Sequence, residues 1–150
     1  MAVSLVPITL ACFLAAANAE GVHPLTLFTV LSVEGGQVGE VSKNANGSVD
    51  IGPMQINDKA WLGEVARQYF DGDRDRAFAT LRDDGCENVR VGAWILRRSI
   101  AAAGGDVYEG IGYYHSRSSA PKQRYQERFR AHFIRDFYDS LGLGERTSRR

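Results

Sequence analysis

Glu34 closes an apolar run, and sixteen residues later Asp50 sits inside Asn46-Gly47-Ser48-Val49-Asp50-Ile51-Gly52-Pro53-Met54-Gln55-Ile56-Asn57. A carboxylic acid at a helix end, opposite a polar segment bearing glycine and two amides, has the parts needed to protonate a glycosidic oxygen. That chemistry asks for one carboxyl kept protonated near neutral pH, in a cleft that excludes some water. Gln55 and Asn57 alternate with Met54 and Ile56, so both amides are expected to point the same way. Amides both donate and accept, which suits N-acetylated sugars. Asp50 is either a second carboxylate across the cleft or an acceptor for backbone N–H groups inside its own turn. The plainer alternatives are a Glu34 on the last exposed turn of a helix and amides that only hold a loop together.

The element that must position Glu34 is a helix from Pro24 through Glu34. Pro24 suits its first turn, where a missing N–H costs nothing. Leu27, Leu31 and Glu34 follow one another at four and three residues, so Glu34 continues a buried stripe. A carboxyl among apolar neighbours resists ionisation. Gly35-Gly36 ends the helix. Asn46-Gly47 is a strong turn signal, which predicts a small irregular hairpin. Gly52 implies a close backbone approach to Glu34 or to a ligand. Further on, Asp58 is expected to cap a helix that buries Trp61, Leu62, Val65, Ala66 and Tyr69. Asp71-Gly72-Asp73 reads as a turn, because the remaining ligands of a calcium loop are missing. Cys86, Val89, Ala93, Leu96 and Ile100 recur at three and four residues and predict the clearest helix of the chain, stopped by Gly104-Gly105. Asp106 caps a short helix toward Tyr113-Tyr114. A final helix over residues 122–141 carries Tyr125, Phe129, Phe133, Phe137 and Leu141 at a strict four-residue step, a stripe read as core with its Tyr125 end nearest a ligand.

Taken together, Glu34-Gly35-Gly36, the run from Asn46 to Asn57, and Tyr113-Tyr114-His115-Ser116 resemble the family-1 (SLT-type) lytic transglycosylases, in the small specialised branch that serves secretion and conjugation systems. The resemblance covers the chain from about residue 12 to about residue 138. The same central stretch is similar to c-type lysozymes. Two departures stand out: Gly35 replaces the usual serine, and His115-Ser116 replaces an Asn-Ala pair. The His-Ser form is the one associated with the conjugative branch.

The resemblance implies an α+β fold, mostly α: a lysozyme-like domain of about six helices with one small β-hairpin. It makes Glu34 the catalytic acid, with Met54, Gln55, Asn57, Tyr114 and His115 binding the sugars. It implies cleavage of the β-1,4 bond between N-acetylmuramic acid and N-acetylglucosamine with 1,6-anhydro ends, and no cofactor or metal. Its expected partners are peptidoglycan glycan strands, with components of a type IV or other envelope-spanning secretion system in second place, and the protein itself is expected to be a periplasmic monomer. A hydrolase using Glu34 and Asp50, or a glycan-gripping assembly module without strong catalysis, remain the rival readings. His115 is open between proton transfer and a plain hydrogen bond.

The 150 residues carry 18 Lys and Arg against 18 Asp and Glu. Such a balance gives no reason to expect nucleic acid or an anionic membrane as partner. No segment has the length and purity of a membrane span. No Ser-His-Asp set, phosphate loop or metal-ligand spacing is visible. At the N-terminus, residues 3–17 are nearly all apolar, and Ala17-Asn18-Ala19 fits a signal-peptide cleavage site. The competing reading, again from the family, starts the domain at Cys12 and pairs Cys12 with Cys86, as two cysteines in an exported protein would. On that reading residues 1–11 are the remnant of an export signal, 12–141 the domain, and 142–150 a basic tail.

Overall fold

The computed structural model describes residues 2–144. Within them the chain is mostly helical, with one small antiparallel sheet. Seven helices are described: α1 (Leu10–Glu20), α2 (Pro24–Glu34), α3 (Gly63–Tyr69), α4 (Arg74–Asp83), α5 (Gly85–Ala102), α6 (Val107–His115) and α7 (Ser119–Ser140). The sheet has β1 (Val41–Lys43), β2 (Val49–Ile51) and β3 (Ile56–Asn57) in that order. The expected fold class stands, with a third strand added to the hairpin. Residues 145–150, most of the expected tail, lie outside the described residues.

Local chemistry fixes most boundaries. Thr9, Asp73, Asp84 and Asp106 each accept a backbone N–H at the start of α1, α4, α5 and α6, satisfying donors that a helix start leaves open. Gly35 ends α2 in the left-handed region at φ 63°, a conformation glycine adopts without penalty. Asp58 does not cap the helix after β3. Asn57 does, its Oδ1 accepting from the Ala60 N–H at 3.0 Å, and a five-residue π-helical turn (Asp58–Leu62) precedes α3. Asp58 instead ties back to the sheet, accepting from the Val49 N–H at 2.9 Å.

α5 is the central strut. Val89, Val91, Ala93, Ile95 and Leu96 are all buried along it, and it packs against α1, α4 and α6 while α7 lies across α2 and α6. Cys12 and Cys86 form a disulfide that ties α1 to the first turn of α5. Ahead of Cys12, Val6 pairs through its backbone with Asp83 and Gly85 in an isolated bridge, and Ile8 packs on the core. The aromatic stripe of α7 is core only in its first half: Tyr125 and Phe129 are buried, whereas Phe137 and Leu141 are exposed.

Candidate active site

Several elements converge on one cleft: the C-terminal end of α2, the sheet with its following loop and π-helical turn, α5 through Ile95, and the C-terminal end of α6. The cavity is about 380 Å³ and is lined by Glu34, Asp50, Gln55, Asn57, Trp61, Tyr114 and His115 among others. That volume falls within the range of small-ligand sites. Six of the seven cleft residues expected from sequence are therefore brought together. Met54 is not. Its side chain is fully buried against Gly92, where a Cβ would collide with it. Only its backbone reaches the site.

The loop that presents the amides is held from below by Asn88. This buried side chain on α5 donates to the carbonyls of Ile51 and Leu81, both at 2.9 Å, and accepts from the Met54 N–H at 2.8 Å. Three backbone groups that would otherwise be orphaned inside the protein are satisfied by one residue. The close approach expected at Gly52 is real but has a different partner. A Cβ there would strike Asn88 and the Leu81 carbonyl. It is Gly36, two residues beyond Glu34, that lies against the Gly52 carbonyl with no room for a side chain. This backbone contact sets the sheet loop against the end of α2.

Within the loop the two amides have different tasks. Both N–H groups of Asn57 are spent, on Ser48 Oγ at 3.0 Å and Asp50 Oδ1 at 2.8 Å, and its oxygen caps the π-helical turn. Asn57 is therefore scaffold for the cleft wall. Gln55 sits at φ 52°, a conformation unusual for a residue with a Cβ and one that clusters at functional sites. Its Nε2 donates to the Gly52 carbonyl at 2.9 Å, and its Oε1 remains an acceptor with no hydrogen bond among the described residues. Trp61, assigned to core from sequence, also lines the cleft, with Trp94 packed edge-on to it at 6.1 Å between centroids.

Glu34 is the chemically distinct group. Burial pushes its carboxyl from the ordinary 4.5 up to about 7; the Tyr125 hydroxyl pulls the other way, the Asp50 charge adds to the rise, and Arg128 opposes it. A buried carboxylic acid with such a value is half protonated at neutral pH, the condition for donating a proton and later taking one back. Tyr125 Oη donates to Glu34 Oε1 at 2.7 Å. The Tyr114 hydroxyl, also in the cleft lining, donates to the Met54 carbonyl at 2.8 Å and braces the loop. Burial, then the charges of Glu34 and Asp50, hold the Tyr114 hydroxyl well above its ordinary range, and burial does the same first for Tyr125. Both therefore stay neutral donors.

His115 stacks flat on Tyr125, the rings 4.8 Å apart and 4° from parallel. Burial, followed by the Arg128 charge, lowers its pKa below the ordinary 6.5, so it is a neutral ring at pH 7 and reinforces Tyr125. Gly35 holds its left-handed conformation beside the acid. The serine common in the resembled family would there cost roughly 1 kcal/mol. Among the described residues no group of three or more His, Cys, Asp or Glu is placed to hold a metal ion, and no helix is long and apolar enough to cross a membrane. Compared with protein-family models and with curated proteins, the chain matches none.

Proposed function

We propose that this protein cleaves the β-1,4 bond between N-acetylmuramic acid and N-acetylglucosamine in peptidoglycan, as a lytic transglycosylase. The observation that carries the reading is the buried Glu34, raised to about 7 and hydrogen-bonded by Tyr125 in a cleft lined with polar groups. Protonated Glu34 gives its proton to the leaving glycosidic oxygen as the anomeric carbon gains oxocarbenium character. The 6-hydroxyl of the muramoyl sugar attacks that carbon, and the Glu34 carboxylate takes the hydroxyl proton. The C–O bond that breaks is replaced by the one that forms, and Glu34 returns to its starting state. An attack from within the same sugar has an entropic advantage once the ring is held. Gln55, Trp61 and His115 are the side chains available to hold it. The disulfide fits an oxidising compartment such as the periplasm, where opening of the wall for an envelope-spanning secretion or conjugation apparatus is the expected use.

A second reading has one observation in its favour. Asp50 lines the same cleft as Glu34, so a lysozyme-like hydrolase could use it as nucleophile or stabiliser. Against this, Asp50 is engaged by Asn57 within the sheet. Product mass on purified peptidoglycan separates the two, because an anhydro end is about 18 mass units lighter than a hydrolysed one. Anhydro ends from the wild type, absent with Glu34→Gln and only modestly reduced with Asp50→Asn, are expected. Reducing ends abolished by both substitutions would move the assignment to the hydrolase. No release by the wild type would leave a glycan-gripping module.

A further inference from the structure

A second groove adjoins the cleft beyond His115. It is lined by His115, Pro121, Arg124, Glu127, Arg128 and Ala131, with a volume of about 520 Å³. His115 belongs to both cavities, so the two adjoin at the end of α6, the second running along the opening turns of α7. Arg124 and Arg128 are four residues apart and share one face of α7. Both are exposed. The Arg128 guanidinium lies 5.5 Å from the centre of the Tyr125 ring, the ring whose hydroxyl rests on Glu34. Among the described residues neither arginine forms an ion pair: the five such pairs involve Arg82, Arg90, Arg98, Lys122 and Arg135. Glu127 is the single acid of the lining and pairs with neither.

Two unspent guanidinium forks beside a sugar cleft have a defined complement. Each offers planar paired donors that match a carboxylate or a phosphate. An uncharged sugar can accept from them but lacks the charge that makes such bonds strong. We propose that Arg124 and Arg128 form a subsite for a carboxylate carried by the substrate next to the sugar at Glu34. The proposal rests on the glycan-cleaving reading and adds to it a preference for acidic over neutral strands. A peptidoglycan strand presents this carboxylate in two ways: on the lactyl group of a bare muramoyl sugar, or on the acid residues of a stem peptide joined through that lactyl group. The stacked His115 ring is the wall between sugar and acid compartments.

The test uses the full chain carrying Glu34→Gln, so that ligands are not consumed. Calorimetric titration at low salt compares a neutral N-acetylglucosamine tetramer, a peptide-free oligomer alternating with muramic acid, and the same oligomer bearing a stem tripeptide. At least one acidic oligomer is expected to bind about fivefold to tenfold more tightly than the neutral one, the scale of one or two exposed charge-assisted contacts. Adding salt should erode that ratio. Adding Arg124→Gln and Arg128→Gln should bring it close to one, while Arg124→Lys with Arg128→Lys should keep part of it. A gain with the bare oligomer assigns the lactyl carboxylate; a gain only with the tripeptide assigns the stem. Equal affinity for all three ligands, or a preference that survives the double Gln variant, overturns the subsite and leaves the glycan reading standing. Absence of affinity for every oligomer overturns the glycan reading and the subsite with it.

Discussion

Glu34→Gln tests the acid without any substrate. Raising a carboxyl from 4.5 to about 7 in the folded protein corresponds to roughly 3 kcal/mol at about 1.4 kcal/mol per pH unit. The cleft is partly open to water, which trims this to about 2 kcal/mol. The sign follows from proton counting. Between pH 4.5 and 7 the unfolded chain has lost this proton and the folded chain keeps it, so wild-type stability falls as pH rises. Glutamine does not titrate and can still accept from Tyr125. Any fixed cost or gain of the amide is independent of pH. The stability of Glu34→Gln minus that of wild type should therefore climb by about 2 kcal/mol from pH 4 to pH 8 and level off. Urea unfolding of both proteins across this range, disulfide intact, reads the difference directly. A difference that stays constant with pH would refute the reasoning: Glu34 would then be an ordinary carboxylate, ionised at neutral pH and without a proton to give.

Three further outcomes are expected. Tyr125→Phe removes the donor that favours the Glu34 carboxylate, so the alkaline limb of the pH–activity profile should move to higher pH, visible in muropeptide release from pH 6 to 9; an unmoved limb would separate Tyr125 from the acid. Asn88→Ala strands two buried carbonyls and one N–H, and should cost about 3 kcal/mol or more by denaturant unfolding; a loss below about 1 kcal/mol would mean the loop finds other partners. Replacing Cys12 and Cys86 together by serine opens a loop closed over a separation of 74 residues, for which chain entropy gives up to about 4 kcal/mol, measured as the difference between oxidised wild type and the double variant.

How far the sequence carried depended on the range of the forces involved. α2 was legible to the residue because Pro24 and Gly35 are local signals, and α5 because its apolar spacing repeats over several turns. The Asn46-Gly47 turn was legible for the same reason: Asn46 bonds Ser48 two residues on. The Cys12–Cys86 pair was reached only through family resemblance, since spacing alone does not state connectivity. Asn88 was invisible. Its partners are backbone atoms of three different residues, and nothing in a side-chain pattern encodes them. Tyr125 was misjudged because an aromatic at a strict four-residue step reads as packing, and its hydroxyl meets an acid 91 residues away. Residues 1–11 read as the remnant of an export signal, and no side-chain pattern states that Leu5 and Val6 meet Gly39 and the start of α5.

The contact between Tyr125 and Glu34 also orders events in time. Ninety-one residues separate the two partners, so the contact closes a long loop and forms only once α2 and α7 have docked. Without the burial that the folded cleft supplies, Glu34 would be a solvated glutamate, ionised at neutral pH. The acid thus does not exist as an acid in a nascent, partly folded or locally opened chain. Opening of the cleft returns the carboxyl to water and switches the proposed chemistry off. For a protein read as an agent of wall cleavage, closure of the fold around Glu34 is what arms it.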